Sequence, residues 1–188
     1  MSILEPLTNA GCIVLASSVE PAALPNKTIV VLGIARGGTS LAAGALHHLG
    51  VPMGIGAKAP VFEDTNLAAL YENPGGIQYS KLRSFIAEYD QQYGVWGFKR
   101  PSILKHLPEL HQIFTNPRYV VMFKDFASVV NRRIVSGLAD KPLENLRDAW
   151  HQYGLIMNFL ERHRPEALLA STDKAIRYKD SFLQDLVR

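Results

Sequence analysis

Residues 28–50 have the sequence TIVVLGIARGGTSLAAGALHHLG and predict the central unit of the fold. Its first five residues, TIVVL, are apolar or β-branched, which is typical of a buried parallel strand. Three glycines, Gly33, Gly37 and Gly38, follow the strand, and the apolar run LAAGAL then predicts a helix that ends near Gly50. A strand, a glycine loop and a helix in this order direct backbone N–H groups and a helix N-terminus at an anion, usually a phosphate. The stretch therefore predicts a phosphate-binding loop.

The composition of the whole chain limits both the fold and the function. With 188 residues, 47% of them hydrophobic, the chain can bury one core. We therefore expect a single domain, residues 28–188, preceded by residues 1–27 as an arm or an edge strand. A net charge of +3 suits an anionic small ligand but is too weak to indicate a nucleic-acid partner. Cys12 is the only cysteine in the sequence, which excludes an intramolecular disulfide.

The sequence also predicts the compartment. No apolar run approaches the length of a membrane span, so no membrane partner is expected. Glu5 precedes the first apolar patch and a basic n-region is missing, which argues against a signal peptide. These features predict a cytoplasmic, reducing setting.

Apolar runs and helical periodicities alternate along the rest of the chain. Further strands are predicted at residues 119–123 and 167–171, and a compact extended stretch at residues 95–99. Helices are predicted at residues 41–46, 62–71, 78–92, 101–114, 126–135, 143–162 and 180–187. In the longest helix the spacing predicts a buried face of Leu146, Trp150, Tyr153, Met157 and Leu160. This alternation predicts an α/β fold whose mostly parallel sheet is covered on both faces.

Residues 33–40, GIARGGTS, have the spacing of a Walker A loop, G-x-x-x-x-G-K-[ST], with one difference. Thr39 stands where that motif has the lysine that holds the β- and γ-phosphates of a nucleoside triphosphate. The missing lysine argues against ATP or GTP chemistry, while Arg36 supplies a basic residue inside the loop. The loop therefore predicts a phosphate cradle, and a tight glycine turn without a ligand is the alternative.

The sequence Arg36-Gly37-Gly38-Thr39-Ser40 resembles the 5′-phosphosulfate-binding loop of sulfotransferases that use 3′-phosphoadenosine 5′-phosphosulfate (PAPS). Its GGT form is similar to that of heparan sulfate sulfotransferases. The resemblance implies a three-layer P-loop NTPase-like sandwich. It also implies that Arg36 faces the sulfuryl group and that Gly38, Thr39 and Ser40 hold the 5′-phosphate, with Gly37 as a further donor-binding residue of the loop. Because sulfuryl transfer leaves negative charge on the bridging oxygen, a fixed cation and aimed N–H donors suit the reaction.

A second match follows the strand predicted at residues 119–123. The family has a 3′-phosphate site at the end of such a strand, in an R-D-P-like motif followed by a helix that carries a serine. Here Lys124 takes the place of the arginine, Phe126 that of the proline and Arg132 that of the serine. The resemblance implies that Lys124 and Arg132 hold the 3′-phosphate, with a point charge instead of the bidentate fork of arginine. The alternative is a solvated helix face that Asp125 caps.

Two shorter segments resemble those of bacterial members of the family. The segment VFED resembles their Y/F-E-D segment and makes Glu63 the candidate general base, with Asp64 as a second candidate. An acid that stabilises a helix N-terminus is the alternative for Glu63. The segment WGFKRP resembles W-G-W-K-D-P and makes Lys99 a candidate second cation over the sulfuryl group. Arg100 stands where the family has an acidic residue.

Together these residues predict a sulfotransferase that moves a sulfuryl group from PAPS, without a metal, to a hydroxyl or amine of a small-molecule or carbohydrate-like acceptor. Two alternatives stay open. One is a non-catalytic nucleotide- or phosphate-binding module, and the other is a P-loop kinase-like phosphotransferase that would work without the loop lysine. The acceptor and the oligomeric state do not follow from the sequence.

Overall fold

The computed structural model describes residues 10–16, 26–137 and 141–187. Its strands are β1 (Cys12–Leu15), β2 (Lys27–Leu32), β3 (Val95–Lys99), β4 (Pro117–Phe123) and β5 (Ala167–Ser171). They form one sheet in the order β1-β5-β4-β2-β3. All neighbouring strands are parallel except β1, which is antiparallel to β5. The prediction of an α/β fold with a mostly parallel sheet is confirmed.

Helices connect the strands. Within the described ranges they are α1 (Thr39–His48), α2 (Thr65–Tyr71), α3 (Tyr79–Tyr93), α4 (Leu107–His111), α5 (Phe126–Val135), α6 (Pro142–His163), α7 (Thr172–Arg177) and α8 (Lys179–Leu186). A 3₁₀ helix, Pro101–His106, leads into α4. The helix predicted over residues 101–114 is therefore a 3₁₀ helix followed by a short α-helix.

Each face of the sheet carries its own hydrophobic core. On one face Val31 and Val120 pack with Leu46 of α1 and with residues of α7 and α8. On the other face Val30 and Val121 pack with residues of α2, α3, α5 and α6. Since successive strand residues point to opposite faces, a sheet covered on both sides needs strands that are apolar throughout. This explains the continuous apolar runs of β2 and β4.

The glycine loop follows β2, which lies between β3 and β4 in the sheet. The chain leaves β2 through α1 on one face, and it leaves β4 through α5 and α6 on the other face. In open parallel sheets, ligands bind in the crevice at the carboxyl ends of two such strands. Here the two strands are β2 and β4. Residues 33–38 follow the carboxyl end of β2, and Lys124 follows the carboxyl end of β4.

Two further details of the predicted helices are wrong. Helix α2 begins at Thr65 and not at residue 62, because the Asp64 side chain caps it there. Trp150 and Met157 do not belong to the core, since their side chains are 71% and 41% exposed. The buried face of α6 lies further round the helix and consists of Ala149, Tyr153, Ile156, Phe159 and Leu160. The short helix α7 is not predicted by the sequence at all.

For the N-terminal segment, the sequence leaves an arm or an edge strand open. Residues 12–15 form the edge strand β1, with Cys12 opposite Ala170 and Leu15 opposite Ala167. Residues 1–9 and 17–25 of the same segment lie outside the described residues. Across the described ranges, none of the helices combines the length and the apolar character that a membrane crossing requires.

Candidate functional site

Residues 33–38 form a tight loop between β2 and α1 in which the backbone requires glycine at two positions. Gly33 has a φ of 155°, and a Cβ there would lie 2.7 Å from the methyl group of Thr39 and 3.0 Å from the carbonyl oxygen of Met122. Gly38 has a φ of 95°, in the left-handed region, and is the N-cap residue of α1. Both positions exclude a side chain, so the main chain itself lines the loop.

The start of α1 presents backbone donors. The Gly37 N–H donates to the carbonyl of Ile34 at 2.9 Å and closes the turn that leads into Gly38. Among the described residues, no side chain caps the first turn of α1, and that turn contains no acidic residue. The first N–H groups of a helix have no partner within the helix, so they can bind an anion. Arg36, exposed and with a φ of 68°, adds a positive side chain to the same loop.

Lys99 and Glu63 form a buried ion pair at the neighbouring strand end. Lys99 ends β3, where it lies opposite Val31 of β2, and its side chain is 2% exposed. Its Nζ donates to Oε1 of Glu63 at 2.7 Å. Burial lowers the pKa of Lys99, and the Glu63 carboxylate opposes that shift. The pair therefore keeps a cation shielded from water at the carboxyl edge of the sheet.

Arg100 extends this ion pair into a network. Its Nη1 donates to Oε2 of Glu63 at 2.6 Å, and its Nε and Nη2 donate to the two oxygens of Glu72 at 2.9 and 3.0 Å. The Ser102 hydroxyl also donates to Glu72. Hydrogen bonds from Arg100 hold the pKa of Glu72 below its usual value, and Glu72 and then Glu63 raise the pKa of Arg100. Both oxygens of Glu63 are thus occupied by cations.

The segment before Glu63 packs along α1. The Ser40 hydroxyl donates to the carbonyl of Val61 at 3.4 Å. The ring of Phe62 lies 5.3 Å from the ring of His47, centroid to centroid. These contacts keep Glu63 beside the helix that the glycine loop opens.

Asp64, the second candidate for the base, has a structural role. It is fully buried, and its Oδ1 accepts from the N–H groups of Asn66 at 2.9 Å and Leu67 at 3.2 Å. The Tyr89 hydroxyl donates to Oδ2 at 2.5 Å. These bonds cap α2 and tie it to α3, and because Asp64 is fully buried it is not accessible to an acceptor.

Lys124 is fixed at the end of β4 by a tyrosine of α6. The N–H of Lys124 donates to the Tyr153 hydroxyl oxygen at 2.8 Å, and that hydroxyl donates to the Lys124 carbonyl at 3.1 Å. Asp125 then caps α5, as the sequence predicts, by accepting from the Ser128 N–H at 2.8 Å. Lys124 therefore leaves the strand adjacent to β2 with a fixed backbone and a half-buried side chain.

Arg132 lies apart from this cluster. It is exposed in the last turn of α5, about 9 Å along the helix axis from Phe126. Its neighbour Arg133 is buried and pairs with Asp148 at 2.7 Å. Within the described residues, no contact brings Arg132 to Lys124, so the two predicted 3′-phosphate ligands are not brought together.

Thr172, which the sequence does not single out, contacts the glycine loop. Its hydroxyl donates to the carbonyl of Gly37 at 2.6 Å, and the two residues are 135 positions apart in the sequence. No local motif marks such a contact. Only the order of the strands, which brings the end of β5 toward the loop, reveals it.

The site therefore combines a glycine loop, a helix N-terminus and basic residues at the carboxyl ends of three neighbouring strands. In sheet order, Lys99 ends β3, Arg36 lies in the loop after β2, and Lys124 follows β4. Glu63 contacts this row through Lys99. No protein-family model matches this chain, and no curated protein sequence matches it either.

Proposed function

We propose that the protein is a PAPS-dependent sulfotransferase with a P-loop NTPase-like three-layer sandwich. The observation that carries the proposal is the row of cations at one edge of the sheet, formed by Lys99, Arg36 and Lys124. Neighbouring strands lie about 4.8 Å apart, so the backbone positions of this row span about 10 Å. A row of this length suits a ligand with more than one anionic group, and PAPS is such a ligand.

The loop fits the phosphosulfate part of the donor. The main chain at Gly33 and Gly38 leaves no room for a side chain, and the uncapped first turn of α1 offers N–H donors. Backbone donors of this kind, with the helix dipole behind them, favour a phosphate group. In this proposal Gly38, Thr39 and Ser40 hold the 5′-phosphate.

The cations suit sulfuryl transfer. PAPS supplies an activated sulfuryl group, and its departure leaves negative charge on the donor. Arg36 and Lys99 are assigned to that charge, and the burial of Lys99 strengthens its effect because the surroundings of a buried charge screen it less than water does. Lys124 is assigned to the 3′-phosphate, while Arg132 would have to reach it along the outside of α5.

Glu63 is assigned as the general base, and its contacts set a condition on that role. An acceptor hydroxyl or amine needs one carboxylate oxygen, and both oxygens are bound, one by Lys99 and one by Arg100. Arg100 retains Glu72 as a partner when it leaves Glu63, whereas Glu63 is the ion-pair partner that the structure gives Lys99. We therefore expect the acceptor to displace Arg100 and to use Oε2.

The test is a transfer assay with ³⁵S-labelled PAPS and a panel of hydroxyl- and amine-bearing acceptors. Transfer is expected, with a loss of about 100-fold in Arg36→Ala, because a fixed cation at the developing charge is removed. Glu63→Gln should also lose transfer. Arg162→Ala is the matched control, an exposed arginine in the last turn of α6, which leads into the amino end of β5 and so lies outside the cation row; it should change the rate little. Stabilisation against heat by ATP with Mg²⁺, but not by adenosine 3′,5′-bisphosphate, would contradict the proposal.

One observation favours a second candidate, a non-catalytic nucleotide- or phosphate-binding module. The two ion pairs of Glu63 leave it without an unoccupied oxygen, which is what a purely structural carboxylate shows. Binding of adenosine 3′,5′-bisphosphate that persists in Glu63→Gln, with no transfer to any acceptor, would favour the module. The kinase-like alternative would need an aspartate at a strand end to bind magnesium. Asp125 follows β4, and it caps α5 by accepting from the Ser128 N–H.

A further inference from the structure

Thr172 joins the end of β5 to the glycine loop across the intervening end of β4. It is the first residue of α7, and its side chain is 3% exposed. Its hydroxyl donates to the carbonyl oxygen of Gly37 at 2.6 Å. Its methyl group covers the next residue, since a Cβ on Gly38 would lie 2.4 Å from the Thr172 Cγ2 atom. A single buried side chain thus touches both residues of the Gly37-Gly38 peptide unit.

The hydrogen bond sets the direction of this peptide unit. In a planar trans peptide, the carbonyl of one residue and the N–H of the next point to opposite sides. When Thr172 fixes the Gly37 carbonyl, it also turns the Gly38 N–H away from α7. The N–H of Gly37, which belongs to the preceding peptide unit, donates to the Ile34 carbonyl, so the backbone is held on both sides of Gly37. Gly38 is also the N-cap of α1, where orphan donors begin.

We infer that Thr172 is a positioning residue of the anion-binding loop: it holds the Gly37-Gly38 peptide so that the Gly38 N–H is presented to a phosphate or sulfate group of the ligand. This inference rests on the proposed function only in that the loop binds an anion, and it does not require sulfuryl transfer. Thr172 itself touches no ligand. Its effect passes through the backbone of Gly38.

Two substitutions separate the hydroxyl from the shape of the side chain. Thr172→Val keeps the size and removes the donor, which leaves the buried Gly37 carbonyl without a partner. Thr172→Ser keeps the donor and removes only the methyl group. Thr28→Val is the matched control, because Thr28 is fully buried in β2 and its hydroxyl has no hydrogen-bond partner among the described residues.

The experiment measures the binding of adenosine 3′,5′-bisphosphate and of sodium sulfate, each alone, to the full chain by calorimetry and by ¹⁵N NMR. In the wild type, the Gly38 amide signal should shift on addition of either anion. Thr172→Val should weaken the binding about tenfold or more and should move the Gly38 signal even before any anion is added. Thr172→Ser should bind within about threefold of the wild type, and Thr28→Val should not differ from it.

A merely structural role would give a different pattern. Thr172→Val would then lower the melting temperature but keep the affinity and the Gly38 shift, and that result would overturn the inference. A wild-type Gly38 amide that responds to neither anion would overturn it as well, and this measurement does not depend on whether any variant folds. A wild type that binds both anions through Gly38 but transfers no sulfuryl group would refute the proposed enzyme and leave the role of Thr172 intact.

Discussion

Replacement of Glu63 by glutamine tests the charge network directly. Glu63 is the carboxylate that balances Lys99, whose side chain is 2% exposed, and it also binds Arg100. Glutamine has nearly the same shape but no charge, so Glu63→Gln leaves Lys99 buried without its counter-ion. We expect a large loss in the free energy of unfolding, even though the substituted residue is close to the surface.

The magnitude follows from the burial of the partners. Removal of one member of a buried ion pair costs about 3–5 kcal/mol when the remaining charge is uncompensated. Because Glu63 is 17% exposed, some water reaches the pair, and we expect about 2–3 kcal/mol. Glu72→Gln is the matched control. It removes a carboxylate from Arg100, and both of those side chains are 29% exposed, so it should cost about 0–1 kcal/mol.

The dependence on pH identifies Lys99 as the source of the loss. Burial lowers the pKa of Lys99 below its ordinary 10.5, and without Glu63 that pKa falls further. The folded chain then releases the Lys99 proton at a lower pH than the unfolded chain, so stability rises as the pH increases through this interval. The difference between Glu63→Gln and the wild type should therefore shrink as the pH is raised from 7 toward 10.

Urea denaturation of the wild type and the two variants at both pH values is the assay. The double variant Glu63→Gln/Lys99→Met should recover most of the stability at pH 7, since it removes the stranded charge. Equal stability of Glu63→Gln and Glu72→Gln at pH 7 would show that the buried ion pair contributes no more than the exposed one. A deficit in Glu63→Gln that Lys99→Met does not relieve would show that the loss does not come from the Lys99 charge.

Three further predictions concern the backbone, the core and the histidines. Gly33→Ala should lower the free energy of unfolding by about 1–3 kcal/mol more than Gly50→Ala. Gly50 also has a positive φ, but no atom lies near a Cβ added there. Equal losses in urea denaturation would contradict the close contacts around Gly33. Trp150→Phe should change stability by less than about 0.5 kcal/mol and should abolish most acrylamide quenching of fluorescence, because Trp150 is exposed and Trp96 is fully buried. Burial lowers the pKa of His111, so the folded chain binds fewer protons there than the unfolded chain. Stability should therefore fall as the pH drops from 7 to 5, and His111→Gln should flatten that fall in urea denaturation. An equally steep fall in His111→Gln would contradict this role of His111.

The glycine loop is predictable from the sequence because its signals are local. The apolar run of β2, the glycines and the apolar helix after them are neighbours in the chain, and each is a consequence of its own residue types. The cap at Asp125 is predictable for the same reason. The burial of Trp150 is predicted wrongly because helical spacing shows that an apolar stripe exists but not how far round the helix the core extends. In α6 the small Ala149 faces the core and the large Trp150 beside it does not.

Contacts between segments that are distant in the chain cannot be predicted from the sequence. The bond from Thr172 to Gly37 depends on the order of the strands, which places β5 beside β4 and β4 beside β2. The pairing of Glu63 with Lys99 and Arg100 spans 36 and 37 positions and depends on how residues 51–64 return along α1. The residue types of the site can be read from the sequence, but which of these residues contact one another depends on the order of the strands in the sheet.

The two sets of contacts at the edges of the loop have different consequences for function. The bond from Thr172 fixes the loop without using a charge, so it serves a binding module and an enzyme equally well. The ion pairs of Glu63 distinguish an enzyme from a binding module. A general base needs one carboxylate oxygen for the acceptor, whereas a purely structural counter-ion keeps both of its ion pairs. Lys99 has Glu63 as its ion-pair partner, whereas Arg100 also binds both oxygens of Glu72. Glu63 can therefore release Oε2 to an acceptor and still balance the buried lysine through Oε1, which makes catalysis compatible with a stable site.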